Sequence, residues 1–231
     1  MRAHYLPTIN EFLPIGQEID LDDLEVYHLI TVVRIQKGES LLLLNGKGLQ
    51  TKTDVLEVTK KKIKVKVLSH TISQPYVTCD VAVGITKREA QEDVIRFCVE
   101  LGIPRIFPFY SDYSSEKLIA EERLFKIAVS ALKQSNNTFL PEIQKPCQLR
   151  DLPLDSYVQI IHFNEENKSS KNENIVKKSL VLIGAEGGFS SAEVNWLENK
   201  KNVLQIHLPT PILRTPTALC VALGYYLKAV S

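Results

Sequence analysis

The sequence predicts an α/β protein with a small β-rich domain, residues 1–73, ahead of a larger domain, residues 74–231, in which strands and helices alternate. Three observations carry this. Residues up to about 70 read as short strands with period-two alternation and an Asn-Gly turn. Beyond Pro75, apolar strand-length runs are each followed by an amphipathic helical pattern, the rhythm of a parallel sheet wrapped by helices. Ser73-Gln74-Pro75 lies between the two rhythms and marks the boundary.

In the first domain a short helix is expected over Leu21–Val32, and strands over Ser40–Leu44, Gly48–Glu57 and Lys62–Leu68. The last sets Lys62, Lys64 and Lys66 against Ile63, Val65 and Val67, so one face is wet and the other buried. Asn45-Gly46 is a turn because both residues tolerate positive φ. These pieces predict a small β-barrel or sandwich, of a size at which lone domains are marginally stable.

In the second domain Val77–Ile85 is a strand apolar almost throughout, as fits a strand covered on both faces. Arg88–Leu101 follows as a helix with Val94, Phe97, Cys98 and Leu101 on one stripe, stopped by Gly102. Arg105–Tyr110 reads as a strand, Glu121–Ser135 as a helix, and Tyr157–Phe163 and Leu180–Ile183 as strands. Asn164–Asn174 is a polar, charged segment expected to be a mobile loop. Ser190 or Ser191 caps a helix running to about Asn199, with Glu193 spaced for a capping interaction. Val203–Leu208 is a further strand. Pro216–Val230 closes the chain as a helix, with Thr215 as its cap. Trp196 is expected to pack the outer helix against the sheet.

Composition narrows the functional classes. Hydrophobic residues at 44% and charged residues at 24% are ordinary for a soluble globular protein. The start of the chain is polar and soon meets Pro7, so it lacks the apolar core of a signal peptide, and a cytoplasmic protein is expected. The run Leu41–Leu44 is far too short to cross a bilayer. Cys79, Cys98, Cys147 and Cys220 are scattered without zinc spacing, which predicts reduced thiols and no metal site. Net charge is only +1, but residues 31–70 hold nine Lys or Arg against three acids, while residues 1–30 hold one against six. A local basic bias suits a polyanion; a solvated strand face explains it as well.

Two motifs sit where an open parallel sheet places ligands, beyond the carboxyl ends of strands. Ile183-Gly184-Ala185-Glu186-Gly187-Gly188-Phe189-Ser190 lies between a strand and a helix. Its glycines allow close approach of a ligand to the backbone, and the helix start supplies free amide hydrogens. It lacks both G-x-G-x-x-G and G-K-[ST], and Glu186 would repel phosphate, so a pyrophosphate site is disfavoured. A plain tight turn remains an open alternative. Leu208-Pro209-Thr210-Pro211-Ile212-Leu213-Arg214 is a proline-stiffened loop before an apolar helix, suited to presenting main-chain groups to a base edge, or else an ordinary connection.

Together the two motifs resemble those of the RsmE family, the ribosomal small-subunit RNA uridine-N3 methyltransferases of the SPOUT superfamily. The family's I-G-P-E-G-G-[FL]-[ST]-x-x-E is matched by Ile183 to Glu193, with Ala185 for proline, and its L-G-x-x-I-L-R-x-E-T-A by Leu208 to Ala218. His28-Leu29 through Arg34, then Gly38 and Asn45-Gly46-Lys47-Gly48, is similar to the family's N-terminal pattern. Lys87 through Glu100-Leu101-Gly102, and Gln134-Ser135 with Pro141-Glu142-Ile143, extend the resemblance along the chain. The departures are Pro209 for glycine, Pro216 for glutamate, Tyr113 for an arginine before Ser114, and Asn137 near another customary arginine.

The resemblance implies a trefoil-knotted α/β methyltransferase domain behind a PUA-like RNA-binding β-barrel, acting as a homodimer. It implies S-adenosylmethionine as cosubstrate, bound through Ile183, Gly184, Gly187, Gly188, Leu208, Pro209, Ile212 and Leu213. Small-subunit ribosomal RNA or the assembled subunit is the implied partner. Arg214 is the candidate to stabilise charge developing on uracil, or to hold a phosphate. Glu186 is the candidate base or cofactor-orienting group, unless it only caps the local turn. Arg34, Lys62, Lys64, Lys66 and Lys87 are the candidate RNA contacts. Two alternatives stand beside this: a non-catalytic RNA-binding or assembly protein that keeps the fold, and a SPOUT methyltransferase with another RNA target.

Overall fold

The computed structural model describes all residues except 1, 10, 11, 115 and 165–173, and the backbone alone of 24 and 164. The expected loop over Asn164–Asn174 therefore lies almost wholly outside the described residues. Two compact units divide the chain: Met1–Pro75 with Val129–Leu140, and Tyr76–Ala128 with Pro141–Ser231.

The first unit contains β1 (Arg2–Tyr5), β2 (Glu18–Leu21), α1 (Leu24–Thr31), β3 (Ser40–Leu44), β4 (Leu49–Val58) and β5 (Ile63–Ile72). They form one barrel-like five-stranded sheet in the order β1-β3-β4-β5-β2, parallel between β1 and β3 and antiparallel elsewhere. Register shifts at Lys52/Thr53 and Val55/Glu57 bend the long β4–β5 ribbon. Alternation turns Leu41, Leu43, Ile63 and Val65 inward, where they meet Val26 and Leu29 of α1. Asp23 starts α1 by accepting from the amides of Glu25 and Val26. In the Asn45-Gly46 turn the Asn45 side-chain Oδ1 accepts from the amides of Lys47 and Leu49, and Gly46 takes φ +75°. The expected strands appear; β1 and β2 were not anticipated.

The second unit contains β6 (Asp80–Gly84), α2 (Arg88–Glu100), β7 (Arg105–Tyr110), the first part of α3 (Glu121–Ser135), and the short β8 (Glu142–Ile143) and β9 (Cys147–Gln148). It continues with β10 (Ile160–Asn164), β11 (Leu180–Ile183), α4 (Ser191–Glu198), β12 (Val203–His207) and α5 (Thr215–Val230). Its sheet runs β12-β10-β11-β6-β7-β8, with β9 also on β7, and every pair is parallel.

One face of this sheet carries Ile160, Leu180, Leu182 and Ala82 against Leu197 of α4, with Trp196 packed at the edge as expected. Lys200 lies 4.9 Å over the Trp196 ring. α5 packs on α2 and β11, burying Leu219, Leu223 and Tyr226. Each large apolar side chain removed from water contributes about 1.5–3 kcal/mol. The Tyr226 hydroxyl is satisfied by Thr78 Oγ1 at 2.9 Å. At the amino ends of the strands Asp80 accepts from Tyr157 at 2.6 Å and from Arg105 at 2.6 and 3.0 Å, so its buried charge is paired. Chain order reverses between β6 and β11, which puts the ligand-binding crevice of such a sheet at their carboxyl ends. The four cysteines are free thiols; Cys79 and Cys98 are buried, and Cys147 and Cys220 half-buried. Among the described residues no helix is long and apolar enough to cross a membrane.

Candidate functional site

β11 ends at Ile183 and the chain turns back on itself at once. The Gly188 amide donates to the Ala185 carbonyl at 2.9 Å, and Gly188 takes φ +67°, where a side chain would be strained. The turn presses on β6: a Cβ placed on Gly84 would lie 2.4 Å from the Ala185 nitrogen. On its other side a Cβ on Gly187 would come within 2.9 Å of the Tyr113 Cβ.

Ser190 then caps α4 in a full capping box with Glu193. Glu193 Oε2 accepts from the Ser190 amide and Oε1 from the Asp112 amide, each at 2.8 Å, so one nearly buried carboxylate starts the helix and holds the 111–114 loop. Ser190 Oγ also donates to Asp112 Oδ2. Ser190 and Glu193 were legible as a cap; their reach to Asp112 was not.

The second loop runs from Leu208 to Arg214. Arg214, not Thr215, caps α5: the Arg214 carbonyl accepts from the Ala218 amide at 2.8 Å. Thr215 is the first helical residue, buried, and its hydroxyl donates to the Gly184 carbonyl at 3.1 Å. This corrects the expected Thr215 cap; the hydroxyl joins the two loops instead.

Between the loops lies a cavity of about 300 Å³. Ile183, Gly184, Gly187 and Gly188 line it from the first loop, and Leu208, Ile212 and Leu213 from the second. Seven of the eight residues expected to hold the cofactor thus meet around one space. Pro209, the eighth, is not among the lining residues, and neither is Arg214, which is exposed at the start of α5. Glu186 lines the cavity, and its Oε1 accepts from the Lys87 amide at 3.0 Å, the residue that opens α2. Ile212 is 77% exposed, an apolar side chain held in water at the cavity.

Sequence reasoning missed His162, Phe163, Val194 and Glu198, which form a wall of the cavity together with Phe189 of the first motif. His162 is 1% exposed, and Phe189 meets its ring edge-on at 5.0 Å. Burial pulls the His162 pKa down to about 4, against a smaller opposing pull from Glu198. A polar ring inside the apolar run Ile160-Ile161-His162-Phe163 was the signal available.

The basic residues are placed unevenly. In the first unit β2 pairs with β5 so that Glu18 and Asp20 face the lysine stripe. Lys62 pairs with Asp20 at 2.8 Å and Lys64 with Glu18 at 3.8 Å, while Lys66 has no ion pair among the described residues. The acidic start of the chain thus neutralises part of the basic segment. Arg34 is exposed at φ +54° in the turn after α1. In the second unit Lys87 is exposed. Among the described residues no group of three or more His, Cys, Asp or Glu is gathered to hold a metal ion.

The family described as the RNA methyltransferase domain matches residues 73–227, and the RNA methyltransferase PUA domain matches residues 21–68. The ribosomal RNA small subunit methyltransferase E of Rickettsia conorii is 28% identical over 225 residues, covering 94% of this chain and 92% of that protein. A ribosomal RNA small subunit methyltransferase E from Neisseria gonorrhoeae, crystallised with S-adenosyl methionine, superposes with a TM-score of 0.82 at 24% identity, over 100% of this chain and 98% of that one. A methyltransferase of Legionella pneumophila, solved in complex with the same cofactor, gives 0.80 at 25% identity over 99% and 97%.

Proposed function

Since this chain belongs to the RNA methyltransferase family, we propose that it moves a methyl group from S-adenosylmethionine to N3 of a uridine in small-subunit ribosomal RNA. The class of reaction is supported by relatives named as small-subunit ribosomal RNA methyltransferases and by the Legionella protein solved with that cofactor. The uridine N3 position rests on the paired loop motifs. The single observation that carries the reading is the convergence of both loops on one cavity at the carboxyl ends of β10, β11 and β12.

The cavity suits such a cofactor. Its volume falls at the small end of ligand pockets, roughly 300–1,000 Å³, and three of its lining residues are glycines. Ile183, Leu208, Ile212 and Leu213 supply apolar contact, while Gly184, Gly187 and Gly188 put no side chain between the main chain and a base edge. Pro209, away from the lining, keeps the second loop stiff.

When bound, the cofactor supplies an electrophilic methyl on a sulfonium. The protein must bring the uracil imide nitrogen into line with it and see the N3 proton removed. As the new N–C bond forms, the C–S bond breaks and its electron pair stays on sulfur, leaving S-adenosylhomocysteine. Negative charge spreads onto the uracil carbonyl oxygens as the N3 proton leaves and is discharged by methyl transfer, and Arg214, exposed between the cavity-lining Leu213 and Thr215, is the group we assign to stabilise it. Glu186 is tied to the Lys87 amide by one oxygen, which suits holding the first loop in place; its second oxygen is our candidate to take the N3 proton.

Arg34, Lys66 and Lys87 are the cations best placed to meet RNA phosphate; Lys62 and Lys64 must first exchange a carboxylate for it. We further propose domains at 1–73 and 74–231, a trefoil knot in the second, a homodimer that uses α5, and a cytoplasmic setting where ribosomal RNA is made. Incubation with methyl-labelled cofactor and small-subunit RNA, followed by nucleoside analysis, should return labelled 3-methyluridine. Label in any other nucleoside would refute the assignment of N3.

A further inference from the structure

His162 is the third residue of β10, in register with Leu182 on one side and Gln205 on the other. It lines the cavity, yet neither sequence motif contains it. The ring is 1% exposed, and its Nδ1 is buried with no hydrogen-bond partner among the described residues. An apolar residue of similar size would fill the same space without leaving a polar atom unpaired, so a ring nitrogen kept here needs a partner that arrives later.

The surroundings limit what that partner is. Phe189 meets the ring edge-on and Val194 lines the same wall. The Glu198 carboxylate is the charged group on this side, and it already accepts from Gln205 Nε2 at 3.1 Å. Burial keeps the imidazole uncharged down to about pH 4. A neutral imidazole offers one donor and one acceptor with no net charge. That pairing complements hydroxyls and ring nitrogens of a nucleoside, whereas an ammonium or carboxylate asks for an opposite charge.

We propose that His162 is a binding residue for the nucleoside half of S-adenosylmethionine, hydrogen-bonding it from the β10 wall of the cavity. This rests on the methyltransferase reading above and adds a contact that the loop motifs do not contain. Phe189, edge-on to the imidazole, keeps the ring from turning away when the cavity fills.

The test is calorimetric titration of S-adenosylmethionine and of 5′-methylthioadenosine into the full-length parent, His162→Phe and His162→Gln, with thermal unfolding of each protein free of ligand. His162→Phe should bind both ligands roughly tenfold more weakly, the worth of one hydrogen bond. Its ligand-free melting temperature should stay level or rise, because an unpaired buried nitrogen is gone. His162→Gln should keep part of the affinity. Unchanged affinities in both variants would overturn the inference, as would a loss confined to S-adenosylmethionine, or a ligand-free melting temperature that falls in both. A parent that binds neither ligand overturns the cofactor reading itself, an outcome distinct from these.

Discussion

The hydroxyl of Thr215, at the first turn of α5, donates to the carbonyl oxygen of Gly184, the first residue past β11, at 3.1 Å. Both residues line the cavity. One hydrogen bond thus fixes the spacing of two loops 31 residues apart in sequence. Thr215→Val keeps the shape and deletes the donor, removing a part-buried hydrogen bond worth about 0.5–1.5 kcal/mol. Cofactor affinity by calorimetry should fall about tenfold with the fold intact by circular dichroism. Parent-like affinity would mean that the loops keep their spacing without this bond.

The lysine stripe makes a different forecast once its partners are known. Lys62 and Lys64 lie against Asp20 and Glu18, so each trades one anion for another when RNA binds. Lys66→Gln and Arg34→Gln should therefore each lower the slope of log affinity against log salt by about 0.7–0.9. Lys62→Gln and Lys64→Gln should lower it by less. Filter binding to small-subunit RNA across a salt series measures this; four equal slopes would remove the distinction.

His162 also predicts a dependence on pH. Its pKa falls from near 6.5 when unfolded to about 4 when folded, so the unfolded chain binds the extra proton first as pH drops. The stabilisation is present in full above pH 6.5 and is lost progressively as pH falls toward 4. The melting temperature of the parent should accordingly drop more steeply than that of His162→Phe between pH 6.5 and 4.5. Parallel curves would show that the ring is not held neutral.

What was legible in the sequence follows from physics at short range. Strands covered on both faces are apolar throughout, so β6 and β11 read clearly, and the Ser190–Glu193 spacing announced the start of α4. β1 and β2 have four residues each, and β8 and β9 two, too few to show a period. They exist because a neighbouring strand offers a ladder. The two loop motifs were visible as glycine and proline clusters, but their convergence depends on parallel pairing of β11 and β12 on either side of β10. Thr215 read as a cap because a threonine before proline usually is one; its preference for Gly184 is a contact between distant segments. His162 had no local signal beyond a polar ring in an apolar strand.

Arg214 carries the chemical part of the proposal. It caps α5 by its backbone and is exposed between two residues that line the cavity without lining it itself, so its contribution to cofactor affinity should be small. Arg214→Ala and Arg214→Lys should both slow methylation on the order of a hundredfold, since lysine does not reproduce a planar fork of donors. Calorimetry with S-adenosylmethionine should change severalfold at most. Near-parental rates in both variants would assign Arg214 to structure alone.

The most direct measurement is mass mapping of methylated nucleosides in small-subunit ribosomal RNA from cells with and without this gene, followed by treatment of the unmethylated subunits with purified protein and S-adenosylmethionine. One 3-methyluridine should be absent without the gene and restored by the parent protein, but not by Arg214→Ala on the same timescale. An identical set of methylated nucleosides with and without the gene, and no methyl transfer to naked RNA or to subunits, would contradict the account and leave a fold that binds RNA without acting on it.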